Sequence, residues 1–251
     1  MKCIKNIRVG IIIPDRNDRP ELLKNCLRML EAQTLQPEII ELINFHPNSH
    51  EKDITLRYRT GYEKLRNKGL DIIAFWENDD YYSKDYLEIM VNKWLEKGQP
   101  DMLGTDYTIY YHLRKIAYFV FHHIDRSSAL STLIKPDLKF PWCQDTDPYT
   151  DMYLWSQCHE IKNKVIFHPE KHITIGIKHG VGLPGGIGHT DELQIFINPD
   201  LKIDENGNIR QYGFLEEHMD EESFNFYKNY LPPFTKQTLK IINGTPMMVP
   251  E

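Results

Sequence analysis

Apolar positions in the first hundred residues fall into two alternating kinds of run. Ile7–Ile13 is a continuous, β-branched stretch closed by Pro14, which predicts a strand buried on both faces of a parallel sheet. Leu22, Leu23, Cys26, Leu27 and Leu30 then recur at helical spacing, with Asp18 as expected cap and Pro20 near the first helical position. Glu38–Ile43 reads as a second strand. A helix is expected from about Ile54 to Lys68, ending at Gly69. Asp71–Trp76 is a third, nearly all-apolar strand. Ser83 is the expected cap of a helix that places Leu87, Met90, Val91, Trp94 and Leu95 on one face, with Gly98 after it. Strand and helix alternate with short connections, the pattern of an open, mostly parallel α/β sheet flanked by helices.

Beyond residue 100 the pattern changes. Met102–Phe121 favours strands, and the polar His112–Lys115 suggests a hairpin. Thr150–Cys158 reads as helical and Ile173–Ile177 as a strand. His179–His189 holds five glycines and a proline and is expected to be a loop. After about Asn198 come Asp-Glu-Asn-Gly, an acidic patch over Glu216–Glu222, and Pro232-Pro233, read as a C-terminal appendage packed on the same domain. There is no internal repeat.

Composition narrows the function classes. With 251 residues the chain can bury a substantial core. Thirty Lys and Arg against 36 Asp and Glu leave a net charge of −6, which disfavours a nucleic-acid partner without excluding a local basic groove. The longest apolar runs, Val9–Ile13 and Ile116–Phe121, fall well short of the ~20 residues of a membrane helix. The N-terminus lacks the pattern of a signal peptide, so a cytoplasmic protein is expected. Cys3, Cys26, Cys143 and Cys158 show no Cys-x-x-Cys spacing and read as reduced, structural thiols.

Candidate chemistry gathers at the carboxyl ends of the strands, where open α/β sheets bind ligands. Pro14-Asp15-Arg16-Asn17 follows the first strand, Asn44 the second, and Glu77-Asn78-Asp79-Asp80 the third. Three acids at the end of an apolar strand call for a neutralising cation. Hard oxygen donors on a loop suit Mg²⁺ or Mn²⁺. A solvated acidic turn beside a helix N-terminus is the plainer alternative; the position at the mouth of a parallel sheet favours the cation.

Val9–Leu23, with its Pro-x-Arg-Asn turn, Leu30-Glu31-Ala32-Gln33-Thr34, and Ile72–Tyr82 with Glu77 and Asp79 as an acid-x-acid pair, together resemble a family-2-type glycosyltransferase with the GT-A fold. The resemblance is good over roughly residues 7–100 and extends more weakly to about residue 190. It implies a GT-A domain over 1–197, with a nucleotide-sugar-binding half to about residue 100 and an acceptor half from 101 to 197. Residues 198–251 form the appendage. It further implies metal-dependent, inverting transfer from a nucleotide-sugar donor to a hydroxyl acceptor, either a glycan or a hydroxylated nucleic-acid base.

Residue by residue, the resemblance makes Glu77, Asp79 and His179 metal ligands, with His189 the second choice to His179. Pro14, Arg16, Asn44, Asn78 and Asp79 would line the donor site. Thr150-Asp151-Met152-Tyr153-Leu154-Trp155 resembles the segment that carries the catalytic base, which would be Asp151, with Asp145 and Asp147 as competing acids nearby. The chain departs from the family in three places, one of them the tolerated Glu77 where the acid-x-acid pair usually opens with Asp. Ile43-Asn44-Phe45 stands where an Asp pair usually reads the base, so the choice among uridine, guanosine and thymidine donors stays open. Thr150 stands where the family has Glu.

Other readings carry less. A non-catalytic sugar-nucleotide or glycan-binding module would not need metal ligands and a base together. Nucleotidyltransferases usually place a glycine-rich loop straight after the first strand, and Pro14–Pro20 contains no glycine. Gly180–Gly185 satisfies Gly-x-Gly-x-x-Gly, but Pro184 and the lack of a following helical period argue against a dinucleotide fingerprint. A mobile loop closing over the donor is the better expectation. His123-Ile124-Asp125 has the His-x-Asp spacing of a non-haem iron triad, but the alternating elements before it argue against that fold.

Overall fold

Strand β1 (Val9–Pro14) is buried at every position on both faces, as its unbroken apolar sequence requires. In the computed structural model, which describes residues 4–46, 52–179, 198–203, 209–230, 237–242 and 245–250, it begins a strand–helix alternation. The elements that follow are α1 (Pro20–Glu31), β2 (Ile39–Ile43), α2 (Ile54–Leu65), β3 (Ile72–Phe75), β4 (Tyr81–Tyr82), α3 (Tyr86–Glu96) and β5 (Met102–Thr105). Next come β6 (Tyr107–His112), β7 (Ala117–His122), β8 (Leu133–Ile134), α4 (Thr150–Met152), β9 (Lys164–Phe167) and β10 (Thr174–Lys178). Last are β11 (Asn198–Pro199), β12 (Leu201–Ile203), β13 (Ile209–Gln211), α5 (Gly213–His218), α6 (Glu221–Tyr230), β14 (Gln237–Ile242) and β15 (Thr245–Pro250). The architecture is mixed α/β, with sheets flanked by helices.

The chain divides into two compact units, one of residues 1–108 and 122–174, the other of residues 109–121 and 175–251. The first contains a six-stranded sheet in the order β2-β1-β3-β8-β5-β9. β1 pairs in parallel with β2 and β3, and β5 with β9. β8 is inserted antiparallel to both β3 and β5, so the sheet is mixed across its middle. One face is covered by α2, whose Tyr58, Tyr62 and Leu65 join Ile12, Ile73 and Phe75 in a buried cluster. Gly61 allows this close packing: a Cβ there would lie 2.4 Å from the Ile12 side chain.

Several local expectations are corrected. Arg19, not Asp18, occupies the cap position of α1, because the Asp18 carboxylate is drawn to Arg16 and Arg19. Asp85, not Ser83, occupies that of α3, and the Ser83 hydroxyl donates to the Asp85 carboxylate at 2.8 Å. The free N–H of Leu87 is taken by the Gln33 side chain at 3.0 Å, which links the end of α1 to the start of α3. Helix α2 stops at Leu65 rather than Lys68, while Gly69 sits beyond it with φ +71° and gives its carbonyl to Arg8. The segment after Thr150 is α-helical only to Met152 and continues as a π-helix over Tyr153–Gln157. The Lys164 ammonium receives its end, donating to the carbonyls of Leu154, Trp155 and Cys158 at 2.6–2.8 Å.

In the second unit β11, β7, β6 and β10 lie side by side in that order. β6 and β7 are neighbours, as the hairpin expectation holds, and β10 runs parallel to β6. Buried Asp200 ties this hairpin to the start of α5, accepting from the Tyr111 hydroxyl at 2.9 Å and the Phe214 N–H at 2.8 Å. Cys26, Cys143 and Cys158 are free thiols; Cys3 lies outside the described residues.

Candidate functional site

The parallel pairing of β1 with β2 and β3 brings their carboxyl ends together. Pro14 stands opposite Ile43, and the Asp15 N–H donates to the Ile43 carbonyl at 3.0 Å. The turn after β1 is then shaped by its own polar residues. Asn17 adopts φ +59°, a left-handed conformation that Asn tolerates. Its N–H donates to the Asp15 carboxylate at 3.3 Å, and its side-chain amide donates to the Asn44 carbonyl. Asn44 thus enters the site through its backbone, with its residue exposed.

A buried guanidinium holds these strand ends in place. Arg57, 1% exposed, donates to the carbonyls of Asp15, Ile43 and Phe45 and to the Asp53 carboxylate. It also lies 4.1 Å from the Phe45 ring centroid. The other Asp53 oxygen receives Arg16 at 2.7 Å, so Arg16 is engaged in an ion pair. Neither Arg57 nor Asp53 is singled out by the motif reading, but a signal exists. Ile54, Arg57, Tyr58, Gly61, Tyr62 and Leu65 follow one helical stripe, and a guanidinium on an apolar stripe has to be paired where it lands.

The acidic turn follows β3. Trp76 is buried and stacks on Tyr82 at 3.8 Å between centroids, while the Tyr82 hydroxyl accepts the Glu77 N–H at 2.8 Å. This aromatic anchor folds the turn so that carboxylate oxygens of Glu77, Asp79 and Asp80 all lie within 4.8 Å of one another. Three oxygen donors at that spacing fit a hard divalent cation. Asp80, outside the expected ligand set, joins it and is buried, at 1% exposure. Asn78 is also buried: its amide donates to Asp15 at 2.7 Å and accepts from Arg19 at 3.3 Å, joining the ends of β1 and β3. Arg19 places its other terminal nitrogen on the Asp79 carboxylate.

Asp151 stands in the first turn of α4, beside Arg126 at 3.3 Å. Burial pushes its carboxyl above the ordinary aspartate range. Arg126 and the backbone N–H groups of Met152, Asp151 and Ala129 oppose that rise. Tyr58 feels the charge of this acid and of the acidic turn alike. Its hydroxyl is fully buried, and after burial itself the charges of Glu77, Asp80, Asp151 and Asp79 push it well above the usual tyrosine range. Asp145, the competing acid, forms an exposed ion pair with Arg59, and Asp147 accepts the Tyr149 N–H.

The remaining expected positions each have their own surroundings. His179 directly follows β10 in the second unit, buried and edge-on to Tyr230. His189 and the glycine-rich loop from Gly180 lie outside the described residues. His123 is no member of an iron triad: it is buried against the Thr108 hydroxyl at 2.9 Å, while Ile124 and Asp125 face solvent. Among the described residues no helix is long and apolar enough to cross a membrane.

No protein-family model matches the chain, and no curated protein matches it. Solved structures do. The fragment 1–349 of TarS from S. aureus in complex with UDP-GlcNAc aligns with TM-score 0.47 and 11% identity, over 68% of this chain and 59% of that one. A longer S. aureus TarS structure aligns with TM-score 0.44 and 10% identity, over 68% of this chain and 37% of its own. The chain therefore spans less than two thirds of the length of either neighbour.

Proposed function

We propose that the chain is a metal-dependent, inverting glycosyltransferase of the GT-A type, moving a sugar from a nucleotide-diphosphate sugar to a hydroxyl acceptor. The observation that carries this reading is the convergence of Glu77, Asp79 and Asp80 at the carboxyl end of β3, beside the ends of β1 and β2. The sequence resemblance over the same strands and turns supports it.

Glu77, Asp79 and Asp80 would hold Mg²⁺ or Mn²⁺, which when bound supplies positive charge to the diphosphate leaving group. The turn from Pro14 to Arg19 and the backbone at Asn44, rigid through Arg57 and Asp53, would form the nucleoside wall. Asp151 would accept the acceptor's hydroxyl proton. The acceptor oxygen then forms the new bond to the anomeric carbon as the bond from that carbon to the diphosphate oxygen breaks. The electron pair leaves with the nucleoside diphosphate, and attack opposite the leaving group inverts the configuration. A carboxyl raised by burial suits this role, because its basicity is greater than that of a solvated aspartate.

A thermal-shift screen of UDP, GDP and dTDP, each with and without Mn²⁺, tests the reading. Stabilisation by one diphosphate only when Mn²⁺ is present is the expected result. No shift with any diphosphate in Mn²⁺ sinks it.

A further inference from the structure

We propose that Arg19 is an internal cation that occupies the acidic site in the absence of donor, disfavours free divalent ions there, and transfers to the diphosphate when the metal-bound donor enters. The proposal rests on the reading of Glu77, Asp79 and Asp80 as a metal and diphosphate site. It adds a residue that neither the acid-x-acid motif nor the expected nucleotide-binding set contains.

The geometry is that of a guanidinium seated on one carboxylate of the cluster. One terminal nitrogen of Arg19 lies on Asp79 Oδ2, the other on Asn78 Oδ1 at 3.3 Å, and Nε lies 3.3 Å from Asp18 Oδ1. The side chain is only 14% exposed, and so is that of Asp79. A divalent ion bound through Asp79 would sit within a few ångströms of this fixed positive charge in a poorly solvated place. Their repulsion would therefore weaken binding of the bare ion. A diphosphate reverses the balance. It brings negative charge to both cations, and its oxygens offer the guanidinium fork the paired acceptors that it otherwise finds on Asp79 and Asn78.

The chain supplies the means for such a transfer. Arg19 stands at the amino end of α1, a twelve-residue helix, so an anion drawn there also meets the positive end of that helix. Asp18 contacts Nε rather than the terminal nitrogens and can stay with the guanidinium as these change partner. Arg19 is a positioning and charge-balancing residue in this scheme; it takes no proton from the reacting groups.

The test compares wild type, Arg19→Gln and Arg19→Lys, after circular dichroism has shown each to be folded. Mn²⁺ alone is titrated by calorimetry and electron paramagnetic resonance, and then UDP and GDP are titrated at fixed Mn²⁺. Removing the charge should tighten binding of Mn²⁺ alone by about tenfold, while the advantage that Mn²⁺ gives to diphosphate binding shrinks. Arg19→Lys keeps the charge and should bind Mn²⁺ alone as wild type does. An Arg19→Gln protein that gains no Mn²⁺ affinity over wild type, including one where neither binds, overturns the proposal. If Arg19→Gln gains Mn²⁺ affinity but no variant binds a diphosphate, the nucleotide-sugar reading and the transfer step fall, and the charge competition stands.

Discussion

Arg19 and Asp79 form an ion pair that joins the first helix to the acidic turn after β3, across 60 residues of sequence. Asp79 is therefore constrained from two sides, by this guanidinium and by the turn that Trp76 and Tyr82 anchor. Asp79→Asn removes one of the three charges of the cluster while keeping the shape of the side chain. Calorimetry with Mn²⁺ and the preferred nucleoside diphosphate should show loss of metal-dependent binding, with an unchanged circular dichroism spectrum. Full affinity in the variant would mean that the ion is held elsewhere.

Asp151 provides a separate test, because a base acts on the acceptor's proton and not on the donor. Asp151→Asn should leave donor and metal affinity in place and lower turnover by roughly 10²–10⁴-fold. The acid limb of the wild-type pH–rate profile should lie above the ordinary aspartate range, since burial raises this carboxyl and the base works only when ionised. Arg126→Gln removes the nearest charge opposing that rise, so the limb should move to higher pH. A limb unmoved by Arg126→Gln would assign it to another group. A product that retains the donor's anomeric configuration would rule out the inverting scheme.

Arg57 is expected to dominate the stability of the strand-end loops. Replacing it with Met leaves Asp53 with one fewer cation and three carbonyls without this donor. Breaking a buried charge network from one side typically costs about 3–5 kcal/mol, and urea unfolding should find a loss of that order. A loss below about 1 kcal/mol would show that water replaces the guanidinium freely.

His123 should make the fold acid-sensitive. Burial, with help from Arg126 and His122 and against the pull of Asp106, lowers its imidazole to about 4. The folded protein then keeps His123 neutral where the unfolded chain, with an ordinary value near 6.5, takes up a proton. Stability is full above about pH 6.5 and declines as pH falls toward about 4, by up to ~3 kcal/mol from this group. His123→Gln should flatten that part of the stability–pH curve. An unchanged slope between those pH values would place the acid sensitivity in other groups.

Much of the first unit is legible in the sequence because its signals are local. Continuous apolar runs mark β1 and β3, a shorter β-branched run interrupted by Glu41 marks β2, and helical spacing marks α1, α2 and α3 to within a few residues at their ends. The acidic turn is legible for the same reason, since Glu77–Asp80 follow directly on an apolar strand. What the sequence by itself could not determine is the set of partners. Arg16 finds Asp53 across 37 residues, Arg19 finds Asp79 across 60, and Asn78 finds Asp15 across 63. Long charged and amide side chains can reach many places, and only the register of β1 with β2 and β3 decides which carboxylates are near. The two-residue β8 has no periodicity to read and exists because β3 and β5 present ladder groups to either side of it. The π-helix after Asp151 is set by Lys164, whose ammonium gathers carbonyls that the local sequence leaves unpaired. Local periodicity determined the elements, whereas strand register and long-range charge pairing, properties of the packed chain alone, decided the geometry of the site.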